Sequence, residues 1–150
     1  MINETTSYPF DTHPAQRYNV TMQPIKQSFL EVNKSKFYSF IYNVTRVEKV
    51  NEILANLRAE YKKATHVCYA YILTSPSAEK CSDDGEPSGT AGLPIITMLK
   101  RKNMRDCLAV VVRYFGGKKL GAGGLIRAYT HAVADCFKDR KTVDTFPLFD

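Results

Sequence analysis

A chain of 150 residues with 44% hydrophobic side chains suits one globular domain, able to bury about 70% of its unfolded surface without disulfide or metal staples. No apolar run approaches the roughly 20 residues of a membrane-spanning helix, and the first thirty residues lack a secretory signal, so a cytoplasmic protein with no membrane partner is expected. The formal charge of +6 lies wholly in the second part, since residues 1–88 carry ten basic and ten acidic side chains and residues 89–150 eleven and five. That asymmetry fits either an acidic partner such as RNA or a solvated basic surface.

Residues 1–25 hold Pro9, Pro14 and Pro24 and little periodicity, and read as an N-terminal arm or tail. Gln27–Val32 and Phe37–Val44 alternate and are rich in aromatic and β-branched residues, with Asn33-Lys34 between them, which predicts a β-hairpin. Val47, Val50, Ile53, Leu54, Leu57 and Tyr61 recur at helical spacing behind Thr45 as N-cap. His66–Leu73 alternates small Cys68 and Ala70 with Tyr69 and Tyr71, as a strand would. Ser75–Gly85 is polar and reads as a loop or short edge strand.

A short helix follows over Thr90–Arg101, with Pro94 in its first turn, where a missing N–H is tolerated. Cys107–Phe115 is nearly continuous apolar sequence and predicts a buried central strand. Leu125, Ile126, Tyr129, Ala132, Val133, Cys136 and Phe137 then form one face of an amphipathic helix beginning near Gly121. Residues 139–150 read as a C-terminal tail, leaving a single domain over 26–138.

Cys68, Cys81, Cys107 and Cys136 are widely spaced, and His13, His66 and His131 fall in no ligand spacing, so neither disulfides nor a metal site is expected. His66 and Cys68 share a strand face. They sit within the sheet rather than at a helix terminus that would activate a thiol.

All eight glycines lie between positions 85 and 124, in two runs. In Arg113–Tyr129 (RYFGGKKLGAGGLIRAY) a strand enters a glycine loop and then a helix. Free amides and a helix N-terminus there make an anion site, to which Lys118, Lys119 and Arg127 add charge. The run matches neither the phosphate-loop nor the dinucleotide pattern. The alternative is structural: Gly116 and Gly117 make a tight turn, while Gly123 and Gly124 let the helix approach the sheet. In Ser82–Gly92 (SDDGEPSGTAG), Asp83, Asp84 and Glu86 offer carboxylates for a cation or for acid–base work. They also suit an Asp-Asp-Gly turn before a helix capped by Ser88 or Thr90.

Four runs, EVNKSKF (31–37), ATHVCYAY (64–71), SDDGEPSGTAGLPI (82–95) and VVVRYFGGKKLGAGGLIRAY (110–129), together resemble the IMPACT family, called YigZ-like in bacteria. The resemblance implies an α/β (α+β) two-layer sandwich like the second domain of the small-subunit ribosomal protein numbered five, a mixed sheet with helices on one face. It implies a role in translational control, since eukaryotic members compete for the activator of the amino-acid-starvation kinase. Those members carry an N-terminal RWD domain, and bacterial ones a C-terminal ferredoxin-like domain. Neither is found in this sequence, and the resemblance transfers no catalytic residue and no cofactor.

The expectation is therefore a non-enzymatic binding domain with a translation-related protein, an RNA or the ribosome as partner. Its surface would combine Arg113, Lys118, Lys119 and Arg127 with the amides of Gly116, Gly117, Gly121, Gly123 and Gly124. The alternative is an enzyme for a phosphorylated or nucleotide-like small molecule. That reading requires Asp83, Asp84 and Glu86 to face the glycine loop across a concave site.

Overall fold

The computed structural model describes residues 23–138; the expected tail over 139–150, and all but the last three residues of the expected arm, lie outside the described residues. Eight elements follow in order: β1 (Lys26–Val32), β2 (Ser35–Asn43), α1 (Val47–Glu60), β3 (His66–Thr74), β4 (Ser77–Ser82), α2 (Gly92–Arg101), β5 (Cys107–Tyr114) and α3 (Gly121–Asp135). No helix among the described residues is long and apolar enough to cross a membrane.

The α+β class is as expected, and two details of the arrangement differ. The sheet order is β1-β2-β5-β3-β4 and every pairing is antiparallel, where a mixed sheet was anticipated. The reason is topological. β2 and β3, joined through α1, do run parallel, as a crossover requires. β5 is inserted between them and pairs antiparallel with both. β4 and β5, joined through α2, are likewise parallel and separated by β3.

Helices also cover both faces rather than one. Cys107, Ala109 and Val111 of β5 join Cys68 and Ala70 of β3 in a core with α2 and α3, through Ile95, Leu99, Leu125, Tyr129 and Val133. Leu108, Val110 and Val112 join Val67, Tyr69 and Tyr71 in a second core, closed by Val50, Ile53, Leu54 and Leu57 of α1. The continuous apolar run of β5 is explained by this double burial, because a strand exposed on one face would alternate with polar residues.

Local sequence sets the joints. Asn33 and Lys34 both adopt positive φ (47° and 71°) between the paired residues Val32 and Ser35, a two-residue turn whose twist matches the strands it joins. The polar stretch after β3 supplies β4 as an edge strand. Helix α1 starts behind Arg46, which takes the N-cap position expected for Thr45 and makes no side-chain cap. Helix α2 starts at Gly92, two residues later than expected.

Candidate functional site

The acidic run is turned toward its own fold. Asp83 reaches across to the start of α2, where Oδ2 accepts the Gly89 N–H (2.9 Å) and Oδ1 accepts those of Ala91 (3.1 Å) and Gly92 (2.8 Å). Desolvation pushes the Asp83 carboxyl pKa upward, but the three amide bonds outweigh it and hold the group below its ordinary value. Asp83 therefore caps the helix, in place of the expected Ser88 or Thr90. Ser88 is exposed, and the Thr90 hydroxyl donates back to the Pro87 carbonyl at 2.6 Å. Asp84 accepts the Val67 N–H through Oδ2 (2.6 Å), and its carbonyl accepts from His66 Nδ1 (2.8 Å).

Glu86 sits deepest, only 7% exposed. Its Oε2 accepts from Arg113 Nη1 at 2.7 Å and from the Tyr129 hydroxyl at 2.5 Å, while Oε1 lies 3.5 Å from His66 Nε2. Arg113, 4% exposed, lies between the rings of Phe37 and Phe115, each 5.6 Å away. Its Nη2 donates to Ser35 Oγ (3.1 Å), which also accepts the Gly116 N–H (3.2 Å), and its Nε has no partner among the described residues. The Tyr129 ring packs edge-on against Phe37 at 5.2 Å. A loop, three strands and a helix thus meet on one buried ion pair, which is tolerated inside a protein only when its charges are paired and hydrogen-bonded.

Two groups of this centre are held neutral. Burial, followed by the neighbouring Cys68 and Glu86, pushes the Tyr129 phenol far up, so it stays a neutral donor. Burial likewise pushes the Cys68 thiol up to about 12, so almost no thiolate exists at neutral pH. Cys68 packs in the core, 3.4 Å from the Tyr129 hydroxyl and 3.1 Å from the Asp83 carbonyl, as its apolar pattern implied. All four cysteines are free thiols.

The glycine loop presents the opposite character. Gly116 is held against the β1–β2 turn so closely that a Cβ there would fall 2.1 Å from the carbonyl carbon of Lys34. Gly117 and Gly121 take positive φ (94° and 74°) and point into open space. Lys118, Lys119, Gly121, Gly123 and Arg127 are exposed, Gly124 is half-buried, and α3 begins without a side-chain cap or an acidic residue in its first turn. A Cβ on Gly123 would approach only the Arg127 guanidinium at 3.4 Å, so this glycine is not what lets α3 reach the sheet. Ala128 and Ala132 make that approach, with Leu125, Tyr129 and Val133 beside them.

Of the expected basic surface, Arg113 is therefore inside, while Lys118, Lys119 and Arg127 stand at the rim. The acidic run and the strand leading to the loop converge at the buried Glu86–Arg113 pair. Ser35, Phe37 and Tyr129 complete that centre and were not singled out from sequence. Their signal was non-local: small polar and aromatic residues on the same strand and helix faces as the core.

The molecule is an α+β domain with an internally paired acidic loop and a basic, glycine-rich rim. Residues 33–137 match the Impact N-terminal domain, and the chain belongs to that family. It is 40% identical over 116 residues to the IMPACT family member YvyE of Bacillus subtilis, covering 77% of this chain and 54% of that protein. It is 37% identical over 121 residues to the IMPACT family member YigZ of Escherichia coli, covering 79% of this chain and 59% of that one. A crystal structure of a hypothetical protein shares the fold with a TM-score of 0.71 and 36% identity, over 76% of this chain and 58% of that one. The chain thus spans little more than half the length of these relatives.

Proposed function

We propose that this chain is a non-enzymatic, cytosolic binding domain acting near translation, in the pathway of the amino-acid-starvation kinase, through RNA, ribosome or protein contacts. The link to translation rests on family membership. The single observation that carries the binding surface is the contrast between the two glycine runs. Asp83, Asp84 and Glu86 are engaged by the protein's own groups, whereas Lys118, Lys119 and Arg127 surround an uncapped helix N-terminus with no acidic side chain in its first turn. Such a rim favours phosphate, because a helix N-terminus and cationic side chains both attract anions.

The test is binding of RNA at several salt concentrations. Displaced counterions should make log K fall linearly with log salt, with a slope of about 0.7 per phosphate contacted on a single strand. Lys118→Glu with Lys119→Glu should weaken binding and flatten that slope. Affinity that is indifferent to salt, or that survives the double substitution, removes the rim as the contact.

A further inference from the structure

The sheet face that carries α1 is not fully covered by it. Toward the β1–β2 edge the face is aromatic: Phe29 is 49% exposed, and Tyr38, Phe40, Tyr61 and Tyr114 are each partly exposed. The rings adjoin one another, with centroids 5.0 Å apart for Phe29–Tyr38, 5.8 Å for Tyr38–Tyr61, 6.0 Å for Tyr38–Tyr114 and 6.0 Å for Phe40–Tyr61. Phe40 and Tyr61 also line a cavity of about 320 Å³ between α1 and the hairpin, together with Gln27, Asn56 and Glu60.

Charge frames this face. Lys36 is exposed and pairs in register with Tyr114, Lys34 is exposed in the adjacent turn, and Lys62 and Lys63 are exposed directly after Tyr61. Against these four lysines stand Glu31, opposite Lys36, and Glu60 at the cavity. The glycine loop begins two residues beyond Tyr114, and Gly116 is pressed against Lys34. Rim and aromatic face, which lie with α3 and α1 on opposite sides of the sheet, therefore meet at the β1–β2 turn.

We propose that this face is a stacking platform for the unpaired bases of a single-stranded RNA. This rests on the reading of the glycine loop as a phosphate-binding rim and extends it to the form of the nucleic acid. Bases lie on Phe29, Tyr38 and Tyr114, one base enters the cavity beside Phe40 and Tyr61, and the lysines and the loop follow the phosphates. Aromatic faces separated by a few ångströms and flanked by cations are what sequence-tolerant single-strand binding requires. Inside the cavity, the amide of Gln27 and the Glu60 carboxylate can meet the donors and acceptors on a base edge. A duplex keeps its bases stacked inside and can use only the rim.

The experiment compares a single-stranded RNA carrying 2-aminopurine with a blunt RNA duplex of equal length, using the full chain. Stacking should quench the 2-aminopurine fluorescence, and the single strand should bind about tenfold more tightly than the duplex. Phe29→Ala, at an exposed position on an edge strand, should lose about tenfold in single-strand affinity and most of the quenching, with duplex binding unchanged. Tyr61→Phe, which keeps the ring, should retain both. Equal affinity for the two forms, or a Phe29→Ala protein that binds and quenches like the parent, overturns the platform and leaves the rim standing. Binding to neither form overturns both.

Discussion

Glu86 and Arg113 approach to 2.7 Å with both side chains almost fully withdrawn from water, and they join the loop before α2 to the central strand. A buried pair of this kind is costly to halve. Glu86→Gln should destabilise the fold by about 3–5 kcal/mol, because the Arg113 charge is left buried without its counter-charge. Replacing both partners together, Glu86→Leu with Arg113→Met, should cost much less than the sum of the single changes. Urea denaturation of Glu86→Leu, Arg113→Met and the double variant measures this coupling.

Asp83 makes stability depend on pH in one direction. Its carboxyl pKa is lower folded than unfolded, so its contribution is complete above the ordinary value of 3.8 and is lost as pH falls through the folded value. Asp83→Asn should cost about 1 kcal/mol at pH 7, in the range of a lost helix cap, and progressively less in acid. Melting curves of both proteins should converge below pH 4. A constant gap across that range removes the capping charge as the cause.

The glycines separate by role. Gly116→Ala places a methyl group on the Lys34 carbonyl and should cost about 3 kcal/mol or more, since neither backbone can give way without breaking the turn. Gly117→Ala meets no described residue within 4 Å and should cost only about 1 kcal/mol for its positive φ. Gly123→Ala, exposed within α3, should stabilise by about 0.5–1 kcal/mol. If it also weakens RNA binding, the glycine is retained for access to the amides and not for folding.

The thiols should divide by burial. Cys81 is exposed, whereas Cys68, Cys107 and Cys136 are buried, and burial pushes Cys68 up to about 12 and Cys107 up to about 11. A disulfide reagent at pH 8 should therefore modify one thiol quickly, and Cys81→Ser should abolish that phase. The remaining three should react at the rate of unfolding.

Most elements were legible because their periodicity is local. The offsets from Leu125 to Val133 gave α3, the alternation around Asn33-Lys34 gave the hairpin, and the apolar run of β5 marked a central strand. That run also implied cover on both sides of the sheet, which the expected one-faced packing overlooked. Arg113 was misplaced for a different reason. It lies on the strand face of Ala109 and Val111, but its charge suggested solvent, and its partner is a loop residue 27 positions earlier. Charged residues are buried only when paired, and the pairing is written in the tertiary structure. Phe29, Tyr38, Tyr61 and Tyr114 could not be grouped into one face from sequence, because they come from four separate segments.

The insertion of β5 between β2 and β3 also has a consequence in time. Until residues 107–114 leave the ribosome, the chain holds two hairpins, β1–β2 and β3–β4, with no strand between them. Each shows an open edge and apolar side chains on both faces, the condition in which nascent chains aggregate. The sheet can close only when its third-ranked strand, the last to be made, slides into the middle. Folding should therefore behave as a late, single event with long-range contacts, and any fragment ending before β5 should fail to acquire a cooperative melt.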